Sequence, residues 1–243
     1  MKAAPSARSW MAAGVRHELL MRALPAVRHD LAAPLSLMRM QLLLLRRHAQ
    51  ADAPAPAEAL AARVTQLESQ TSEISDSLRT LRQWEWPTPE GALGATEPTR
   101  AELVAQAVSL MRAAFELNGI ALQVADALNP LSGAAADAGP AERWPDPVGL
   151  RYLLLGALCH LHDWHDGLEG GGSIELSPVE DWGVQLKARS AAAAQGQPAG
   201  ALAPHRAPRH LAIDAVSLQA LADDLGHEVQ ITPGMLVVDL RAP

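Results

Sequence analysis

The chain has 243 residues, enough for one large domain or two small ones with real hydrophobic cores. Hydrophobic residues make up 49% of it but aromatics only 3%, so Ala and Leu dominate and helix is favoured over an aromatic-rich β-sandwich. A formal net charge of −7 argues against nucleic-acid binding through a basic surface, and the single cysteine, Cys159, excludes an internal disulfide framework and fits a reducing compartment.

Residues 1–14 lack the unbroken apolar core of a signal peptide. The most apolar run, Leu31 to Leu45, is interrupted by Pro34, Arg39 and Gln41 and is too short to span a bilayer. Both features predict a cytoplasmic protein with no membrane association. Apolar positions then recur at Leu20, Leu24, Val27, Leu31, Leu35, Met38, Leu42 and Leu45, a long helical seam with a single stutter. Pro54 and Pro56 break it, and a second seam follows at Leu60, Val64, Leu67, Thr71, Ile74, Leu78 and Leu81. Two long helices joined by a short Pro-rich turn predict an antiparallel hairpin over residues 1–86. A lone hairpin with such seams leaves apolar surface uncovered, so a homodimer forming a four-helix bundle is expected.

Trp84 and Trp86 end the hairpin, where they are expected to pack at the domain junction, and 87–98 reads as a Pro- and Gly-rich linker. The pattern from 99 to 243 is mixed α and β. Thr99, with Glu102 three residues on, predicts a capping box opening a helix through Leu117. Asn118-Gly119 closes it, and residues 120–124 alternate like a strand. After a loop at 125–144, Asp146 to Trp164 reads as a strongly apolar helix, and Cys159 within it as a buried small hydrophobe. Strands are expected at 173–176 and 183–188, a flexible loop at 190–208, a helix at about 213–225 stopping at Gly226, and strands near 228–231 and 235–240. The fold class is therefore α+β: a helical hairpin followed by an α/β sandwich.

His29 lies two residues from both Val27 and Leu31, roughly 200° around a helix from either, and so faces away from the seam into solvent. An exposed imidazole next to a carboxylate, here Asp30, suits a phosphoryl acceptor: one ring nitrogen attacks phosphorus while the acid holds the other ring N–H. The bland reading is that His29 is one of nine histidines on an exposed face. Pro34 removes one backbone hydrogen bond just past this point and would bend the helix.

The string His29-Asp30-Leu31-Ala32-Ala33-Pro34-Leu35-Ser36 resembles the H-box of two-component sensor histidine kinases. The resemblance extends over nearly the whole chain. The hairpin corresponds to the dimerisation and histidine-phosphotransfer domain, and the elements from Thr99 onward resemble the ATP-binding domain. It also brings departures. Gly156 and His160 stand where the family places two nucleotide-facing Asn residues; Gly has no ligand atom, and neutral His is a poor ligand for hard Mg²⁺. The Asp-x-Gly-x-Gly segment is replaced by residues around Ser190, and no second Gly-rich segment precedes the last helix. Ala33 replaces a Thr or Asn tied in the family to phosphatase activity and kinase positioning.

The resemblance with these losses implies a histidine phosphotransferase that binds no ATP and relays a phosphoryl group between receiver-domain aspartates through His29. Its partners would be response regulators or receiver domains of hybrid kinases. Mg²⁺ would come with the receiver, and no cofactor is expected on this chain. Arg22, Arg28 and Ala33 are the residues expected to admit and orient the receiver. The rival reading is a non-catalytic pseudo-kinase module that sequesters a kinase or response regulator; an active kinase with unrecognised nucleotide contacts is the third. Separately, His160, His162, His165 and Asp166 are dense in metal-ligand types, with His162 and Asp166 one helical turn apart. No Cys cluster or distant ligand set completes a site, so polar residues at a helix end are the adequate explanation and no metal is expected.

Overall fold

The computed structural model describes residues 6–50, 56–82 (backbone alone at 79–82), 98–130, 147–164, 168, 171–191 and 211–241. Trp84, Trp86, His165, Asp166, the side chain of Leu81 and nearly all of the segments read as the linker and the two loops lie outside them. The chain is a mixed α+β protein with a helical N-terminal region and a five-stranded mixed sheet. Its elements are α1 (Ala7–Ala49), α2 (Ala57–Arg82), α3 (Arg100–Leu117), β1 (Ile120–Val124), a 3₁₀ turn (Asp126–Leu128), α4 (Pro147–Trp164), β2 (Gly172–Val179), β3 (Gly183–Ser190), α5 (Ala215–Leu225), β4 (Val229–Thr232) and β5 (Met235–Asp239). Among the described residues no helix is long and apolar enough to cross a membrane.

Two compact units emerge: residues 24–88, and residues 1–23 together with 89–243. The hairpin boundary read from the sequence placed 1–86 in one body. The first turns of α1 instead bury Ala12, Val15, Leu19 and Ala23, an apolar stripe of their own, within the α/β unit. That stripe is weak by sequence because two of its four members are alanine.

In the α/β unit the sheet order is β1-β2-β3-β5-β4, with β1 parallel to β2 and every other pair antiparallel. Inward residues Ile174, Leu176, Val184, Leu186, Leu236 and Val238 alternate along the strands and form the sheet's half of the core. The helices supply the other half. The capping box of α3 forms as the spacing predicts: Glu102 N–H donates to Thr99 Oγ1, and Thr99 N–H donates to the Glu102 carboxylate. Asp214 caps α5 through Ser217 N–H, and Gly226 ends it at φ 74°, a left-handed conformation suited to glycine. These hydrogen bonds from Ser217 hold the Asp214 carboxyl below its ordinary range.

Helix α4 is the centre of this unit. Leu150, Leu153, Leu154, Leu155, Leu158 and Leu161 are buried, and so are Arg151, His160 and Asp163, so the helix is enclosed on nearly every side. Strands β2 and β3 extend to Val179 and Ser190, past the sequence expectation, because their register pairs every residue from Gly172↔Ser190 to Val179↔Gly183.

The other unit is the hairpin. Helix α1 stays helical through Pro25 and Pro34. Its half-buried or buried positions in this unit include Val27, Leu31, Pro34, Met38, Gln41, Leu44 and Leu45, and those of α2 include Ala59, Arg63, Leu67, Gln70, Ile74 and Ser77. The two helices meet where Arg63 Nη1 approaches Gln41 Oε1 at 3.5 Å. Only some members of the sequence-derived seams therefore face inward. Leu24, Leu35, Leu42, Leu60, Val64 and Leu78 are exposed along the hairpin.

Candidate functional site around His29

On α1, Val27 and Leu31 are half-buried and Pro34 is buried, while residues 28–30, 32 and 33 between them are exposed. The His29 side chain is 81% exposed and Asp30 58%. His29 Nδ1 lies 3.4 Å from Asp30 Oδ1, longer than a well-formed hydrogen bond. The contact uses Nδ1, so Nε2 is the nitrogen left for an electrophile. Arg28 and Ala33 are also exposed. A large group can therefore approach the imidazole, and a small side chain at position 33 presents little bulk against it.

Arg22 has a different surrounding from the one its proposed docking role needs. Its side chain is 10% exposed and faces into the α/β unit. Nη1 and Nη2 donate to Asp163 Oδ1 and Oδ2 at 3.0 and 2.8 Å, Nε donates to Glu18 Oε1 at 2.9 Å, and Nη2 also donates to the Leu211 carbonyl at 2.8 Å. Burial works against its charge, but Asp163 and Glu18 outweigh that and hold the guanidinium above its ordinary value. Its hydrogen-bonding capacity is used inside this unit, which does not fit the docking role expected of it from the sequence.

Asp163 is the residue that sequence reasoning passed over. Besides Arg22 it accepts from Ile213 N–H at 2.9 Å and from His162 Nδ1 at 2.9 Å. Burial pushes its carboxyl upward, yet the bonds from His162, Arg22 and Ile213 hold it below the usual aspartate value. The one sequence signal was the Glu18–Arg22 spacing of four, which places the pair on one helix face. Cys159, buried beside this network, has its thiol pushed up to about 12, chiefly by burial, and is an inert packing residue.

The positions that the resemblance assigns to lost nucleotide contacts are occupied by packing. A Cβ on Gly156 would stand 3.0 Å from Leu218 Cδ1, 3.2 Å from Leu221 Cδ2 and 3.8 Å from Leu19 Cδ1. His160 is 9% exposed, and its Nδ1 donates to the Ile213 carbonyl at 2.8 Å. Ser190 sits exposed at the end of β3, paired with Gly172. Neither Gly156 nor His160 offers the hard oxygen ligands that Mg²⁺ takes. His162 lies tilted at 52° to the Phe115 ring, centroids 5.1 Å apart, and is bonded to Asp163. Among the described residues no group of three or more His, Cys, Asp or Glu is placed to hold a metal. His165 and Asp166 lie outside those residues.

The sequence matches no family model and no curated protein. Among solved structures, the histidine kinase AdeS of Acinetobacter baumannii is similar at TM-score 0.35 and 12% identity, over 87% of this chain and 96% of that one.

Proposed function

We propose that the protein is a histidine phosphotransferase that accepts a phosphoryl group on His29 from the aspartate of one receiver domain and passes it to another, without binding ATP. The observation that carries this reading is the exposed His29 imidazole with Asp30 at its Nδ1. In the forward step the Nε2 lone pair attacks phosphorus, the N–P bond forms, and the P–O bond to the receiver aspartate breaks, releasing its carboxylate. The Nδ1 proton stays on the ring, where Asp30 stabilises the resulting positive charge. The return step to a second receiver is the reverse. Mg²⁺ for that chemistry arrives with the receiver.

Two further features support the reading. The α4 face at Gly156 and His160 is filled by Leu19, Leu218, Leu221 and Ile213, which favours a module that takes its phosphate from another protein. The uncovered leucines of the hairpin favour a second copy of the chain as their cover, giving a four-helix bundle with two acceptor histidines. Arg28 and Ala33 border the approach to the imidazole and are assigned to receiver docking.

Incubating the full chain with a phosphorylated receiver domain tests the proposal. Label should move to wild type and not to His29→Gln. Equal labelling of both, or labelling of neither by any receiver of the cell that encodes this chain, would leave the non-catalytic binding module as the better description. Label acquired from ATP alone would overturn the ATP-free part.

A further inference from the structure

Residues 211–214 lead into α5 and belong to no helix or strand. Buried backbone polar groups need partners, and a segment outside the ladders must find them elsewhere. Here the partners are side chains. The Leu211 carbonyl accepts from Arg22 Nη2, Ile213 N–H donates to Asp163 Oδ2, and the Ile213 carbonyl accepts from His160 Nδ1. Two of these three bonds converge on the Arg22–Asp163 pair, which also fastens the first turns of α1. The Ile213 side chain is buried while Leu211 is 74% exposed, so little packing holds the start of the segment in place.

The first turns of α1 are held by ion pairs of graded burial. Arg8–Asp223 at 3.0 Å is largely exposed, Arg16–Asp224 at 2.6 Å is partly buried, and Arg22–Asp163 at 2.8 Å is the most enclosed. An exposed pair contributes little, whereas a buried bidentate pair that loses one partner leaves an uncompensated charge. The strength of attachment therefore increases toward Arg22.

We propose that Asp163 is a coupling node, a single carboxylate that ties the N-terminal arm of α1 (Ala7–Ala23) to the root of α5 (Leu211–Asp214), so that the two open together. One Asp163 oxygen serves both elements at once: Oδ2 accepts from Arg22 Nη2 and from Ile213 N–H. When the arm leaves, Arg22 goes with it. Leu211 loses its donor, and Asp163 is left buried with His162 as its only side-chain donor among the contacts above. The carboxylate then turns toward water and releases Ile213 N–H. Anything that binds or displaces the arm is thereby transmitted to the segment before α5, whatever His29 does.

Residue-resolved amide hydrogen exchange on the full chain reads this directly. In Arg22→Gln, exchange should rise about tenfold or more both at Leu19 in the arm and at Ile213. In Arg8→Ala, Ile213 should stay at the wild-type rate. Faster exchange in the arm of Arg22→Gln with Ile213 unchanged would overturn the coupling. Should Arg22→Gln fail to fold, the wild type still decides. Across a series of low denaturant concentrations, Leu19 and Ile213 should merge into one opening with a common slope, and separate openings would contradict the proposal.

Discussion

Around α4, Glu18, His160 and Asp163 are buried, Arg22 is largely enclosed, and all four are bonded to one another or to backbone, whereas on the hairpin His29 and Asp30 stand in solvent beside uncovered leucines. The contrast separates two uses of the same residue types. His160 has its Nδ1 committed to a backbone carbonyl and little room at its edge, so it serves the fold. His29 has one loose contact and open approach, as the proposed acceptor role requires. Neither the number of histidines nor their nearness to acids distinguishes the two; burial and bonding do.

The contrast is broken most severely at the ionic cluster. Replacing Arg22 by Ala leaves Asp163 buried without its main partner and should destabilise the α/β unit by about 3–5 kcal/mol in urea unfolding. Arg8→Ala, at the exposed end of the same helix, should change stability by less than about 1 kcal/mol. Equal losses in the two variants would mean that burial is not what gives the Arg22 pair its weight.

On the hairpin the comparable change is in assembly. Leu35→Glu with Leu42→Glu places charges on the uncovered stripe without touching the inward positions Leu31, Pro34 and Met38. Light scattering should show a dimer for wild type and a monomer of retained helicity for the double variant. A wild type that is monomeric at micromolar concentration would remove the four-helix bundle.

Gly156 sharpens the comparison from the other side. An Asn side chain there would have to displace the ends of Leu218 and Leu221, costing about 1–3 kcal/mol by overpacking. Gly156→Asn combined with His160→Asn should also fail to bind ATP, as measured by calorimetry. Nucleotide binding by that pair would show that the α4 face is closed by ligand chemistry alone and not by packing.

A smaller effect is expected from pH. The Asp163 carboxyl is held below its ordinary 3.8, so its contribution to stability is complete above that value and is lost as pH falls below it toward the folded-state value. Asp163→Asn should remove that part of the acid slope, and an identical slope in the variant would show that other carboxylates carry it.

Much of this was legible in the sequence where local rules act alone. The Thr99–Glu102 capping box, the Asn118-Gly119 stop and the Gly226 terminus each depend on a few neighbouring residues, and each forms as expected. The exposure of His29 followed from its angle to Val27 and Leu31. The division of the hairpin seams was not legible, because inward and outward leucines differ by one helical step and only the partner helix chooses between them. The membership of residues 7–23 in the α/β unit, and with it the inward turn of Arg22, was hidden for a similar reason. Asp163 and Leu211, its partners in the fold, lie 141 and 189 residues away. Spacing along one helix has no view of them.

The central claim is that phosphate resides on His29, and the most direct measurement is the position and chemistry of the label after transfer from a phosphorylated receiver. Alkali-stable, acid-labile phosphate, the signature of an N–P bond, should map to the peptide containing His29 and disappear in His29→Gln while circular dichroism stays unchanged. Label found elsewhere, or carried undiminished by the folded variant, would contradict the account.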